Sequence, residues 1–221
     1  MKPKVIIYGC GDYAHKVKLS IERDGVAEIL AFTVHREYRQ VEMFAGLPVL
    51  NFEDVTQKYN KNETGMFVAI AYKKMNYLRE IICNEVTAAG FKLINYISPH
   101  ARLWGDVRLG RNIFIDDGVI VGHNCEIGNG VLFFMGCTLA HDIVVRKYVF
   151  FAPEVAVGGF VTIGDRSFLG IHATIMSNLT IAPCTLIGCA TNIISNTQHN
   201  CVYVGNPGKV ITNRIATETT I

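Results

Sequence analysis

Every sixth residue from Ile97 to Ile193 is large and apolar: Ile97, Leu103, Leu109, Ile115, Val121, Ile127, Phe133, Leu139, Val145, Phe151, Val157, Ile163, Leu169, Ile175, Ile181, Ile187 and Ile193. The chain is 50% hydrophobic, so a run of this length in one frame arises by chance about once in 10⁵. The register two residues earlier agrees, from Ala101, Val107 and Ile113 through to Thr185 and Thr191. No charged residue between 97 and 193 falls in either register. Two inward positions separated by an outward one is strand alternation. Glycine often follows the second inward position, as at Gly110, Gly122, Gly158, Gly164, Gly170 and Gly188. A period of six is too short for a helix pair. Its phase, unbroken over this length, is too regular for a sandwich. The pattern predicts a hexapeptide β-helix in which three short strands make one triangular coil. Residues 18 apart then stack at about 4.8 Å.

The outward positions split into three columns, one per face. The first reads Tyr96, Phe114, Leu132, Phe150, Phe168 and Leu186, the second Arg102, Ile120, Thr138, Ala156, Thr174 and Asn192, the third Arg108, Glu126, Val144, Thr162 and Thr180. Only the first is wholly large and apolar. A ladder of that kind left in water is a patch that monomers rarely tolerate. The expectation is that it is buried between subunits of a cyclic homo-oligomer, most simply a homotrimer.

The remaining composition closes off other classes. A net charge of +2 lacks the basic excess of a nucleic-acid binder. No apolar run approaches the roughly 18 residues of a membrane span, and Val5-Ile6-Ile7-Tyr8 is too short for a signal-peptide core. Seven scattered cysteines without a CxxC pair predict free thiols and a cytoplasmic location.

Residues 1–96 have the texture of a small parallel α/β domain. Strands are predicted over Lys4–Tyr8, Glu28–Val34, Met66–Ala71 and Lys92–Ile97, with helices over Asp12–Asp24, Phe52–Tyr59 and Met75–Ala89. The repeat domain follows as 97–211, with a polar tail over 212–221. Gly9-Cys10-Gly11-Asp12-Tyr13-Ala14 fits GxGxxG/A, a turn that lets backbone and a helix N-terminus approach a phosphate. A dinucleotide site wants an acidic residue after the second strand, where Val34-His35 stands. A phosphate-bearing substrate and a purely structural turn both remain open.

Among the histidines, His123 and His141 are 18 apart, so they stack at one corner of adjacent coils, and Gly159 completes the column. Two imidazoles beside a glycine leave an edge that a ligand can approach. Asp142 follows His141 and is placed to orient it as a general base. Metal is not expected: zinc catalysis takes three protein ligands, and no third histidine follows His141 within a few residues. Cys125 and Cys137 lie in the inward register, where a thiol fills space.

These residues carry a family resemblance. Tyr8-Gly9-Cys10-Gly11, Met66-Phe67-Val68-Ala69-Ile70, Gly122-His123-Asn124, His141-Asp142, Gly158-Gly159, Gly164 and Gly205-Asn206-Pro207 resemble, over about residues 4–211, the bacterial sugar acyltransferases typified by the sialic acid O-acetyltransferase and the bacillosamine-pathway N-acetyltransferase. The resemblance implies a Rossmann-like acceptor domain followed by a left-handed parallel β-helix. It also implies a homotrimer with active sites between subunits, acetyl-CoA as donor and a nucleotide-linked sugar as acceptor. By position it implies His141 as base with Asp142 as its acidic partner, and Gly159, Ile171, Gly188, Cys189 and Ala190 along the donor path. Gly9, Cys10 and Gly11 match the nucleotide-binding turn. Tyr13 and Tyr72 stand where relatives carry other residues, and with His123 they complete the substrate-side set. The alternative from another class is a non-catalytic trimeric binding or scaffold protein.

Overall fold

A computed structural model describes residues 2–219. They form two compact units: the chain up to Ala71 together with Ile81–Asn95, and Tyr72–Glu80 together with the chain from Tyr96 onward.

The first unit is a six-stranded sheet of β1 (Lys4–Tyr8), β2 (Glu28–Val34), β3 (Met43–Phe44), β4 (Leu47–Asn51), β5 (Thr64–Val68) and β6 (Lys92–Leu93), in the order β3-β4-β2-β1-β5-β6. All neighbours pair parallel except β3 and β4. The central strand β1 reads as a continuous apolar run because it is covered on both faces; Val5, Ile6 and Ile7 are fully buried. Helices α1 (Asp12–Asp24), α2 (Phe52–Lys58) and α3 (Tyr77–Ala88) complete the βα pattern, with the first four residues of α3 grouped in the second unit. At the end of β1 the chain turns through Gly9 at φ +123°, where an added Cβ would lie 2.9 Å from the Ala69 carbonyl oxygen, so only glycine fits. The hairpin of β3 and β4 turns through Ala45 and Gly46, both at positive φ, as tight hairpins require. The run Lys92–Ile97, expected as one strand, is two: Lys92–Leu93 ends the first sheet, and Tyr96–Ile97 opens the coils.

The second unit contains two-residue strands every six residues, from Tyr96–Ile97 to Asn192–Ile193. They pair parallel with partners 18 residues away, as Tyr96, Phe114, Leu132 and Phe150 do in succession, and stack into three sheets. Both inward registers fill the core of the prism, with Ile113, Val119, Phe133, Phe151, Ile163 and Ile187 fully buried. From Asn112 to Ala190 each corner turns through a residue in the left-handed region, again at six-residue spacing, as at Asn124 (φ 52°), Asp142 (54°), Phe160 (58°) and Ala190 (53°).

Two expectations are corrected. The apolar outward column is not left for a neighbouring subunit. It is buried within the chain, from Tyr96 at 1% exposure to Phe168 at 8%. The segment Tyr72–Glu80 lies on it: the Tyr72 ring meets Phe150 and Phe168 edge-on at 5.2 and 5.6 Å. The fully buried Arg79 donates to the carbonyls of Gly130 and Tyr148, and Asn76 donates to those of Arg166 and Ser167. The C-terminus is not simply a polar tail from residue 212. Lys209–Ile215 is a strand antiparallel to Cys201–Val204, which itself extends the first face of the coils. A turn at Ala216–Glu218 then buries Ala216 completely. Residues 220 and 221 lie outside the described residues.

Candidate active site

Parallel pairing of Ile120–Val121 with Thr138–Leu139 carries the next corner of each coil in register, and so sets His123 beneath His141. The two imidazoles are parallel to within 5°, with centroids 5.1 Å apart. One coil earlier, the exposed Trp104 meets His123 edge-on at 5.8 Å. One coil later, Gly159 closes the column. A Cβ there would lie 2.7 Å from His141 Cε1 and 2.9 Å from Nε2, so the glycine lets backbone come against the ring. Phe160 bounds the other edge at 5.2 Å, perpendicular to His141.

The corner geometry also explains how two consecutive residues can form a pair. Asp142 occupies the left-handed position of its turn (φ 54°), which brings its Oδ2 to 2.8 Å from His141 Nδ1. Its other oxygen accepts from Asn124 Nδ2 at 2.5 Å, and the Asn124 backbone N–H donates to Asp106 Oδ2 at 2.9 Å. The bond from Asn124, then that from His141, hold the Asp142 carboxyl below its ordinary range. It is therefore a charged acceptor that keeps a proton on Nδ1 and leaves Nε2 with its lone pair. The His141 side chain is 42% exposed, open enough to meet a substrate. Side-chain ligand atoms of His123, His141 and Asp142 lie within 4.8 Å of one another, close enough to gather round an ion. Both oxygens of that carboxylate are already engaged by His141 and Asn124, which is how a base and its orienting partner are built. Asn124 was quoted in the sequence motif without a role; the spacing of Asp106, Asn124 and Asp142, 18 residues at each step, is the signal that finds it.

The other expected residues fall at other places. Ile171, Cys189 and Ala190 share one exposed corner, where the Ala190 N–H donates to the Ile171 carbonyl at 2.8 Å. Gly188 precedes them, and a Cβ on it would lie 2.9 Å from a Val204 methyl. Their corner joins the first and second faces, whereas the imidazoles sit where the second face meets the third. In one chain the two sets therefore flank the second face rather than meet. Tyr72 lies on the apolar first face and not beside the imidazoles. Gly9, Cys10, Gly11 and Tyr13 gather at the end of β1 and the start of α1. Gly11 is the N-cap of that helix, and a Cβ on it would meet nothing within 4 Å. Burial pushes the Cys10 thiol up to about 11 and the Cys137 thiol up to about 12, and raises that of Cys125, so none is an activated nucleophile.

No family model matches the chain. Over 116 residues it is 25% identical to GDP-perosamine N-acetyltransferase of Escherichia coli O157:H7; the match spans 52% of this chain and about half, 51%, of that protein. Perosamine N-acetyltransferase from Caulobacter crescentus, solved with CoA and GDP-perosamine in a variant whose histidine is replaced by asparagine, superimposes with a TM-score of 0.86. Identity is 26%, over 95% of this chain and 97% of that one. The acetyltransferase domain of PglB from Neisseria gonorrhoeae has the same fold, with a TM-score of 0.84 at 22% identity, covering 95% of this chain and all of that one. The stacked parallel strands fit the left-handed β-helix of such acetyltransferases, and the chain is similar to the bacterial sugar acyltransferases.

Proposed function

We propose that this protein is an acetyl-CoA-dependent acetyltransferase acting on a nucleotide-linked amino sugar, in the building of a surface polysaccharide or glycan. The observation that carries the reading is His141, held through Nδ1 by an ionised Asp142, with Nε2 left to a substrate on a side chain that is 42% exposed. An amine attacking a thioester must lose a proton, and imidazole is suited to take it near neutral pH. The amine nitrogen bonds to the acetyl carbon while Nε2 removes its proton. The tetrahedral intermediate then expels the CoA thiolate, which takes the proton back from the imidazolium. The backbone N–H at Gly159, against the ring, is the candidate donor to the oxyanion. Direct transfer of this kind uses no cysteine or serine nucleophile. The solved Caulobacter relatives, which hold CoA and GDP-perosamine, favour nitrogen over oxygen as the acceptor atom.

The first unit serves in this reading as a Rossmann-like acceptor domain. Gly9, Cys10, Gly11 and Tyr13 lie at the nucleotide, and His123, with Tyr72 as a further candidate, on the sugar side. Gly159, Ile171, Gly188, Cys189 and Ala190 line the donor path. The protein is a cytoplasmic homotrimer in this reading; the separation of the Ile171–Ala190 corner from the imidazoles in one chain supports a neighbouring copy supplying the missing half of each site. A non-catalytic scaffold would leave the His141–Asp142–Asn124 arrangement without a purpose.

The test is thiol release from acetyl-CoA in the presence of GDP-, UDP- and dTDP-linked amino sugars, with product mass measured and the oligomer sized by light scattering. An acetylated sugar and a trimer are expected. No turnover across the panel, with CoA binding also absent, would overturn the reading.

A further inference from the structure

We propose that Asn124 is a positioning residue for the base, with Asp106 as its anchor one coil below; this rests on the acetyltransferase reading above. The bland explanation of Asn124 is its backbone, since asparagine tolerates the left-handed region. The fold argues against that. The equivalent turn positions, all with φ between 53° and 58°, are filled by Tyr148, Phe160, Arg166, Cys184 and Ala190, so the corner accepts almost any side chain. Asn112 and Asn178 hold such positions too; what is particular to Asn124 is the partner of its amide, which donates to Asp142 Oδ1 at 2.5 Å.

A carboxylate bonded at one oxygen only can swing about Cβ–Cγ and present either oxygen, or neither, to its histidine. Bonding at both oxygens removes that freedom. Asp142 is further fixed by its own backbone N–H, which donates to the His123 carbonyl at 3.1 Å. Asp106 fixes Asn124 in turn, by accepting its backbone N–H. Residues 106, 124 and 142 thus form a ladder, one rung per coil, ending on the nitrogen of His141 that does not react. Its effect is to keep the proton on Nδ1, so that Nε2 is the acceptor when the substrate amine arrives.

Asn124→Gly separates the two explanations, because glycine keeps the left-handed turn and removes the amide. Steady-state kinetics of the full chain with acetyl-CoA and the amino sugar that it acetylates are measured beside wild type and His141→Ala. The His141 tautomer is read from imidazole ¹⁵N shifts of the ligand-free protein. In Asn124→Gly, kcat falls about ten- to a hundredfold, less than the 10²–10⁴ for losing the base. KM for both substrates stays within about twofold, and the single Nδ1–H tautomer of wild type becomes a mixture. Asn124→Asp, which sets one carboxylate against another, is at least as damaging. Wild-type kcat with an unchanged tautomer in Asn124→Gly overturns the proposal. If instead His141→Ala retains activity, the base assignment fails, while the tautomer, which needs no substrate, still decides the role of Asn124. Should no sugar be acylated, an unchanged tautomer alone overturns it.

Discussion

His141 and His35 each stand beside a carboxylate, on two different kinds of scaffold. On the coil, Asp142 takes Nδ1 of His141 and leaves Nε2 open. At the end of β2, the Tyr8 hydroxyl bonds His35 Nδ1, and Glu85 Oε2 lies 3.3 Å from its Nε2. Burial raises Tyr8 well above the ordinary tyrosine range, so the phenol keeps its proton and donates it. His35 Nδ1 is then an acceptor, and its proton sits on Nε2 facing Glu85. Nδ1 is bonded and Nε2 faces a carboxylate, and the ring packs edge-on to Tyr8 and Phe52 at 5.6 and 5.1 Å. A carboxylate neighbour therefore does not by itself make a histidine a base. One nitrogen must be held while the other is left to the substrate, and the coil does this by stacking.

The most severe test of that contrast is His141→Ala. We expect kcat to fall by about 10²–10⁴, with the circular dichroism and melting curve of wild type; undiminished turnover would remove the base. Gly159→Ala comes next. Its methyl would press on Cε1 and Nε2 from less than 3 Å, and displacing a catalytic group by a fraction of an ångström to an ångström costs up to about 10². A kcat loss approaching a hundredfold is expected, read in the same assay. If the ring tolerates the methyl, the column is looser than it is drawn here.

The coil and the column of His123, His141 and Gly159 were legible in the sequence because a fixed period turns linear distance into spatial contact. Eighteen residues separate His123 from His141 and His141 from Gly159, and all three fall in one column. The same arithmetic reaches Asn124, although asparagine at a turn has a sufficient local reason to exist and so carries a weaker signal. What covers the apolar first face was not legible. The ladder from Tyr96 to Leu186 states that a cover exists, and a neighbouring copy satisfies it as well as any segment of the chain. That Tyr72, Asn76 and Arg79 provide it is a long-range fact with no periodic signature; a helix expected from Met75 says nothing of which face it covers. The pairing of His35 with Glu85 was hidden for the same reason, since 50 residues and three strands separate them.

On the α/β side the expected effects are smaller and concern stability. Gly9→Ala forces a side chain into φ +123° and to 2.9 Å from the Ala69 carbonyl. It should cost about 1–3 kcal/mol, seen as a lower melting temperature with kcat retained at saturating substrate. His35→Phe is the gentlest. It keeps the aromatic packing and deletes both polar contacts, one to the buried Tyr8 and one to Glu85, for about 1 kcal/mol. kcat should not change, because neither nitrogen of His35 faces a reacting atom; a fall like that of His141→Ala would mean that the two histidines are not different in kind. Tyr8 supplies an independent check with a definite sign. Its value is raised on folding, so its contribution is intact below the ordinary tyrosine value of about 10 and is lost as pH rises past it, where the unfolded phenol ionises and the buried one does not. Melting temperature should therefore drop above about pH 10, and Tyr8→Phe should flatten that drop without affecting the neutral-pH rate. A wild-type protein whose melting temperature showed no such alkaline decline would indicate that Tyr8 ionises as readily in the fold as in the unfolded chain.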